Sequence, residues 1–372
     1  MIRKYPFYFR ATIILFGLIL FSVVLFYLRA VLVPLGFALL LAILLNPIVL
    51  RFEKWGLPGA LAISASILLA LIVLAGVTYL LYTQLANFSD QLPLFKQKFA
   101  ALFTQLQTRA SRDYGVSLAR QNQYIAQAQK GIQPVLAAAM GTVIGTLSTI
   151  VLLPVYTFLF LYYKNLILNF LYEIFAEENA REVAVVLGQT KGAVQSYMIG
   201  LLLEALIIAT LNTTALLILG VDYAILLAVI GALLNILPFI GGIIAVLPPI
   251  LIATVTKDGI HTQVGIILAY MVIQFIDNHF ISPYIVSSKV KINALISIVA
   301  VLLGGALWGI SGMFLSIPFI GVLKIIFDRI PELQPWGRLL GMEVSTKKQK
   351  ITLIRIKRKS AARRHKKGNI LS

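Results

Sequence analysis

The sequence predicts an all-α integral membrane protein, a multi-span helical bundle that carries two broken or re-entrant helical hairpins in an inverted repeat. Of the 372 residues, 59% are hydrophobic and 12% are charged, and the mean hydropathy is +0.92. Soluble domains contain roughly 45–50% apolar and 25% charged residues. Most of the uncharged runs exceed the roughly 20 residues that an α-helix needs to cross a bilayer. An outer-membrane barrel would show short alternating segments instead.

The first 89 residues are predicted to form a cytoplasmic N-terminus, 1–10, and three transmembrane helices within 11–89. Arg3, Lys4 and Arg10 precede the first apolar run, as in a signal peptide. No small-residue cleavage site follows this run, so we expect it to stay in the membrane as an anchor.

A polar insert, residues 90–131, is predicted to be helical and extracytoplasmic. Its beginning continues an apolar pattern with alternating intervals of three and four residues, which is typical of a helix that packs against a partner helix. The pattern consists of Leu85, Phe88, Leu92, Phe95, Phe99, Leu102 and Leu106. Two interpretations stay open: the stripe bridges subunits, or it lies on the chain's own membrane domain or on the lipid interface. A fourth transmembrane helix, 132–163, and a cytoplasmic linker of mixed charge, 164–191, follow.

Residues 192–327 are predicted to be the transport core, built from two repeats, 192–256 and 259–323. Each repeat is a span followed by an apolar segment that glycines and prolines interrupt, and the interval 224–248 matches the interval 294–318. Each arm of such a segment has about 14 residues and reaches about 21 Å, less than the roughly 30 Å of hydrocarbon. Interrupted segments at matching positions indicate a secondary transporter's binding site. The alternative is a pair of kinked helices packed through small residues.

The charge distribution predicts the topology. In the tail, residues 328–372, the part after Glu343 carries eleven Lys and Arg residues and no acid. The positive-inside rule therefore places both termini in the cytoplasm, and the number of crossings is even. Either all eight apolar runs cross the membrane, or six cross it and two are re-entrant hairpins. The model with two hairpins places Lys289 and Lys291 on the cytoplasmic side, so the positive-inside rule favours it. We expect the tail to bind anionic membrane lipids, and we predict no nucleic-acid partner.

Polar groups inside apolar spans are candidates for a transport pathway, because they are costly in a membrane. Glu204 lies in the middle of one span. In the next span a polar stripe recurs at helical spacing, formed by Gln263, Tyr270, Gln274, Asp277 and Asn278. The alternatives are hydrogen bonds between helices for the stripe and a locally paired, neutral acid for Glu204.

No catalytic or metal-binding pattern is present in the sequence. The chain has no Cys, and its three His residues lack the spacing of metal ligands. Motifs typical of hydrolases and metalloproteases are absent. We therefore expect no enzyme activity, no metal and no cofactor.

Three linked motifs, with a fourth upstream, resemble those of the AI-2E (autoinducer-2 exporter) transporter family. The resemblance covers about residues 10–330, in the same order and spacing. The motifs are Asn235-Ile-Leu-Pro238-Phe-Ile-Gly241, Gln274-Phe-Ile-Asp277-Asn278-His-Phe-Ile-Ser-Pro283, the segment from Gly304 to Pro318, and Asn46-Pro47 followed by Gly56-Leu-Pro58.

The resemblance implies an exporter of small molecules in the bacterial cytoplasmic (inner) membrane that does not hydrolyse ATP and forms a homo-oligomer, with pentamers suggested by the family. The resemblance does not fix the cargo. The alternatives are export of an autoinducer-2-like molecule and exchange of Na⁺ or Li⁺ for H⁺. Relatives commonly end soon after the last hairpin, whereas this chain continues into the basic tail.

These observations predict a secondary transporter that holds its substrate near mid-membrane, between the two broken segments. Glu204 or Asp277 would carry any ion coupling. The predicted substrate pathway consists of Asn235, Pro238, Gly241, Gly242, Gln274, Asn278, Gly305, Gly309 and Gly312. A rival hypothesis from another class is a non-transporting membrane scaffold that organises partners through its outer helix and basic tail.

Overall fold

The computed structural model describes residues 6–114, 121, 123, 151–174, 176–237, 241–257, 259–287 and 292–342. Within these residues the chain is almost entirely helical, as the composition predicts. The helices are α1 (Phe7–Tyr27), α2 (Arg29–Lys54), α3 (Gly59–Tyr114), α4 (Val151–Tyr162), α5 (Lys164–Ile174), α6 (Ala176–Ile218), α7 (Ala224–Asn235), α8 (Gly241–Ala245), α9 (Leu247–Thr256), α10 (His261–Ile276), α11 (Ala294–Arg329) and α12 (Gln334–Leu340).

Several of these helices are long and apolar enough to cross a membrane. In the described part of the chain there are five, and a sixth is obtained if α4 and α5, which meet at 61°, are counted as one span. By length and composition alone, the five lie in α2, α3, α6, α10 with its extension, and α11, although α11 is broken in its middle. The chain is therefore a multi-pass membrane protein, and the predicted number of crossings stays a prediction.

Helix α3 joins a predicted span to the predicted extracytoplasmic insert without a break. It has 56 residues and continues through Pro93, so its length is about 84 Å, far more than a bilayer requires. The insert therefore begins as a continuation of the third span. Apart from Leu85 and Phe88, the side chains of the apolar stripe lie outside the described residues, and both interpretations of that stripe stay predictions.

The first interrupted segment is a hairpin, here called hairpin one (224–256), made of α7, α8 and α9. Its arms lie side by side, because a Cβ atom built on Gly231 would lie 3.5 Å from Cβ of Ala245. At the turn, Gly241 packs directly on the backbone of Leu234 and Asn235, where any side chain would collide. A continuous helix would hold residues seven apart about 10 Å from each other.

The second interrupted segment, here called hairpin two (294–329), also reverses direction. Its single helix α11 is broken at Trp308 and at Gly309, which has φ 63° and ψ −144°. This combination is accessible essentially only to glycine. Beyond the break, Gly312 packs against the backbone of Gly304, and a Cβ atom on Gly305 would lie 2.7 Å from Cε of Met313. The two halves of α11 are therefore antiparallel arms.

Both hairpins have their two ends close together. Asp222 Oδ1 and Lys257 Nζ, which flank hairpin one, lie 3.9 Å apart. At hairpin two, Asn293 Nδ2 donates to the carbonyl oxygen of Gly341 at 3.2 Å, and Gly341 contacts the Lys324 side chain near the other end of the hairpin. A straight helix of 36 residues would hold its ends about 54 Å apart. The two broken hairpins predicted from the sequence are confirmed, and their inverted relation stays a prediction.

The hairpins pack against α6 and its neighbours. Hairpin one lies against α6 and α10 through small residues such as Ala228, Ala245 and Ala253, together with Leu216 and Ile266. Hairpin two contacts α6 and α2 through an apolar cluster that contains Leu40, Tyr197, Met198, Leu201 and Leu315. Helix α6 is therefore the common support of both hairpins.

Candidate functional site

A polar cluster lies where the turn of hairpin one meets α6 and the end of α10. Glu204 comes from α6 and Asn235 is the last residue of α7. Gln274, Asp277 and Asn278 lie at the end of α10 and in the turn that follows. Five of the residues that the sequence predicted for the pathway and for ion coupling are thus brought together by three separate elements.

Asp277 is the centre of this cluster and is only 3% exposed. Its Oδ2 atom accepts hydrogen bonds from Asn235 Nδ2 at 3.0 Å and from Gln274 Nε2 at 3.4 Å. The same Gln274 amide lies 3.4 Å from Oδ1 of Asn278. The contact from Asn235 ties hairpin one directly to a buried carboxyl group.

Glu204 lies beside Asp277, and we call these two residues the acid pair. The two carboxyl groups are close enough to interact electrostatically, and the Ser282 side chain also lies near Glu204. Carboxylates have no donor, so the pair can share a hydrogen bond only when one member carries a proton. The phenol of Tyr197, earlier on α6, also lies near Glu204.

The backbone after α10 explains how Asp277 and Ser282 come to face the same site. The chain is π-helical over Asp277–Ile281 and again over Pro283–Ser287, and the N–H of Ser282 bonds to the carbonyl of Asp277, five residues earlier. Pro283 has no N–H and its ring crowds the preceding turn, so ordinary α-helical bonding cannot continue there. Such widened turns are rare and often occur at functional sites.

Gly242 allows the turn of hairpin one to approach α10. A Cβ atom at Gly242 would run into the side-chain carbonyl of Gln274. The glycine therefore leaves space for the amide that also contacts Asp277. Pro238, another predicted pathway residue, lies outside the described residues.

The predicted pathway glycines of hairpin two, and Gly241 of hairpin one, lie in close backbone contacts of their own hairpins. Gly241 packs on Leu234, and Gly312 on Gly304. Gly305 contacts Met313, and Gly309 is exposed at the break. None of the hydrogen bonds described for the acid pair comes from these glycines, and their part in a pathway stays a prediction.

Buried polar atoms of α6, of α10 and of the turn after α10 have no hydrogen-bond partner among the described residues. They are Asn212 Oδ1, Gln263 Oε1, Tyr270 Oη and Asp277 Oδ1. Leaving such a group unsatisfied costs about 1–3 kcal/mol. Three of them belong to the polar stripe that the sequence predicted along α10, and the fourth faces hairpin one from α6.

Ser282 and Tyr197 were not among the predicted site residues. Ser282 stands directly before Pro283 in one of the family-like motifs, and a proline after a helical stripe is the signal that the helix geometry changes there. Tyr197 lies seven residues before Glu204 and thus on the same face of α6, but an aromatic residue in an apolar span carries no specific signal.

Comparison with known protein families decides the chain's class. A family model described as "AI-2E family transporter" matches residues 13–332. The chain belongs to the AI-2E family. The resemblance of the sequence motifs is thereby confirmed, and family membership assigns the chain to membrane transport.

Individual AI-2E relatives match over most of their length. The chain is 25% identical over 304 residues to the AI-2 transport protein TqsA of Escherichia coli (strain K12), covering 80% of this chain and 86% of that protein. It is 22% identical over 308 residues to the transport-protein candidate YrrI of Bacillus subtilis (strain 168), with coverage of 80% and 86%. A third relative, the permease candidate PerM of E. coli (strain K12), is 24% identical over 202 residues, with coverage of 53% and 57%.

Proposed function

We propose that this AI-2E family member exports a small polar molecule across the bacterial inner membrane, and that proton binding at the acid pair drives the export. The observation that supports this proposal best is the 3.0 Å hydrogen bond from Asn235, at the tip of hairpin one, to Asp277 of the pair. It joins a titratable centre to an element whose backbone reverses inside the protein.

The coupling follows from the strength of this hydrogen bond. A bond to a charged acceptor contributes about 1.5–3 kcal/mol, whereas a bond between neutral groups contributes about 0.5–1.5 kcal/mol. A deprotonated Asp277 therefore holds Asn235 and hairpin one more firmly than a protonated Asp277 does. Proton binding and release would shift the population of hairpin positions by this difference.

The amides around the acid pair supply the chemistry for a small polar cargo. Gln274 and Asn235 present amide groups beside Asp277, and Asn278 is exposed next to them. Together they offer both donors and acceptors, which suits hydroxyl and carbonyl groups. The name of the relative TqsA, an AI-2 transport protein, supports a cargo of the autoinducer-2 class.

A second candidate function is Na⁺(Li⁺)/H⁺ antiport at the same place. It is favoured by Asp277 Oδ1, which is buried and has no donor among the described residues. With the Glu204 carboxyl and the Ser282 hydroxyl nearby, this atom could bind a small alkali cation whenever the pair is free of protons.

The test is flux in proteoliposomes that contain a pH-sensitive dye, supplied either with autoinducer-2 or with NaCl alone. Glu204→Gln and Asp277→Asn keep shape but remove the titrating group, so coupled flux should fall at least about tenfold, a change of roughly 1.4 kcal/mol. Glu53→Gln, an exposed acid at the end of α2, is the matched control.

Three outcomes separate the hypotheses. Collapse of the pH gradient by NaCl without organic cargo would establish antiport. Equal flux in wild type and both folded acid-pair variants would contradict the coupling proposal. A wild-type protein that moves neither cargo nor cation would favour the membrane scaffold.

We also propose that the protein is a homo-oligomer joined through the apolar stripe of α3. Each such side chain is worth about 1.5–3 kcal/mol when fully buried. Replacing Phe95, Phe99 and Leu102 together by Ser should dissociate the particle in mild detergent. A particle mass equal to that of the wild type would assign the stripe to the chain's own membrane domain or to lipid.

A further inference from the structure

We infer that a path of bound water molecules along one face of α10 conducts protons between the Gln263 end of this helix and the acid pair. The inference rests on the proposed function, because it supplies the acid pair with its protons. We call this feature the α10 water path and define it by Gln263, Tyr270, Asp277 and, from α6, Asn212.

The register of α10 places the path on one face. Gln263, Tyr270 and Asp277 follow each other at intervals of seven residues, which is two turns of a helix. From the first to the last they cover about 21 Å, most of the thickness of the hydrocarbon core. In each of them an oxygen atom is buried and has no hydrogen-bond partner among the described residues.

Asn212 adds a fourth such oxygen from α6. Its Nδ2 atom would lie 3.5 Å from a Cβ atom built on Gly231, which in turn would lie 3.5 Å from Cβ of Ala245. Ala245 packs in the same cluster as Tyr270. Helices α6 and α10, both packed against hairpin one, therefore bring these unpaired polar atoms together rather than scattering them through the core.

Water fits these atoms better than cargo does. The two amide oxygens and the carboxylate oxygen accept hydrogen bonds from water, and the Tyr270 hydroxyl both donates and accepts. Buried waters occur where two to four polar partners converge. Hairpin one presents small side chains here, including Ala224, Ala228 and Ala245, between larger aliphatic ones such as Leu227, and the neighbouring Ile266 is fully buried. A narrow lining of this kind suits single water molecules rather than an organic cargo.

Proton transfer along the path neither creates nor consumes protons. A proton that enters at the Gln263 end passes from one water molecule to the next, each accepting one proton and releasing another, and is bound by a carboxylate of the acid pair. No other reactant is needed. Among the described residues, three titratable groups face the path: Tyr270 along its length, and Glu204 and Asp277 at its inner end. Tyr197 lies beyond the acid pair, and His261 is exposed at the outer end of the path. The predicted topology places this outer end outside the cell.

Water occupancy is tested without reference to transport. Radicals produced by an X-ray pulse oxidise side chains that contact bound water, and the full-length protein in lipid nanodiscs can be exposed and analysed by mass spectrometry. Tyr270 is 7% exposed and should nevertheless be oxidised. Met198, also 7% exposed but packed in the separate cluster that contains Leu40 and Leu315, is readily oxidised when water reaches it and should stay intact. An unoxidised Tyr270 would overturn the inference.

Proton conduction is tested with the same vesicles as the proposed function. Tyr270→Phe and Gln263→Leu should each slow proton-coupled flux at least fivefold, whereas Tyr79→Phe, at a 70% exposed position on α3, should leave the rate unchanged. If Glu204→Gln abolishes flux and both path variants keep the wild-type rate, the α10 water path is contradicted, whereas the proposed role of the acid pair is supported. If Glu204→Gln keeps the wild-type rate, the proposed function fails, and with it a path that serves the acid pair.

Discussion

Hairpin one and hairpin two share a backbone plan but differ in what their tips contact. Both are broken within the segment and both have their ends held together. The tip of hairpin one carries Asn235 to the buried Asp277, whereas Trp308 at the tip of hairpin two donates from Nε1 to the carbonyl oxygen of Leu25 in α1, at 3.0 Å. The same backbone arrangement therefore carries a polar site at the tip of hairpin one and a structural contact with α1 at the tip of hairpin two.

The glycines show the same difference. In hairpin two, Gly304 and Gly312 bring the two arms into backbone contact. In hairpin one, Gly242 opens space for the Gln274 side chain of α10. One hairpin thus uses its small residues to close on itself, and the other uses one of them to approach a different element.

The largest expected difference between the two hairpins is the side of the membrane from which their bases can be labelled, because each position reacts from one side only. If the repeats are inverted, the two bases lie on opposite sides of the membrane. The chain has no Cys, so single Cys substitutions can be labelled without background. An impermeant thiol reagent should reach Asp222→Cys and Ile260→Cys, at the base of hairpin one, only from outside. Met342→Cys, at the base of hairpin two, and Ser288→Cys, which precedes that hairpin in the sequence, should react only from inside.

The labelling has an internal control, because the two positions of each base must agree. Labelling of all four positions from the same side would show that the hairpins are not inverted. Labelling of Ser288→Cys and Met342→Cys from opposite sides would mean that hairpin two crosses the membrane, against the contact between Asn293 and Gly341.

A second test compares glycines of the two hairpins. Gly312→Ala places a methyl group on the backbone carbonyl of Gly304, which cannot move without opening the arms, so the yield of folded protein should fall severely. Gly242→Ala meets a flexible Gln274 side chain instead, so the protein should fold while flux falls several-fold through the disturbed Asp277. Fluorescence size-exclusion profiles measure folding, and proteoliposomes measure flux. A normal yield for Gly312→Ala would show that the arms of hairpin two can separate at little cost.

The hairpins could be predicted from the sequence because their cause is local. Arms of about 14 residues are too short to cross a bilayer, and the glycines and prolines at residues 238–242 and 304–312 mark the breaks. The polar stripe of α10 was equally visible as a helical period. These features depend on residue spacing alone.

The acid pair could not be predicted as a pair, because its members lie on different helices that only the packing brings together. The sequence named Glu204 and Asp277 separately, as alternatives for ion coupling. The role of each glycine was also hidden, since spacing shows that Gly242 and Gly312 allow close approach but not which atoms approach. Ser282 enters the site only through the π-helical turn before Pro283.

The smallest expected effects distinguish the two bases. Asn293 caps α11, with its Oδ1 accepting from the N–H of Ile296 at 2.9 Å, and its Nδ2 also donates to the carbonyl of Gly341. Losing such a cap costs about 0.5–2 kcal/mol, so Asn293→Ala should lower the melting temperature by a few degrees.

The base of hairpin one should respond less. Lys257 and Asp222 are 3.9 Å apart and their side chains are 33% and 49% exposed, so water screens the pair and it contributes about 0–1 kcal/mol. Lys257→Met should therefore change the melting temperature, followed by tryptophan fluorescence in detergent, by less than Asn293→Ala does. Its small effect should shrink further in high salt, whereas the effect of Asn293→Ala should not change. The reverse order would show that the salt bridge, rather than the asparagine cap, is the stronger of the two contacts.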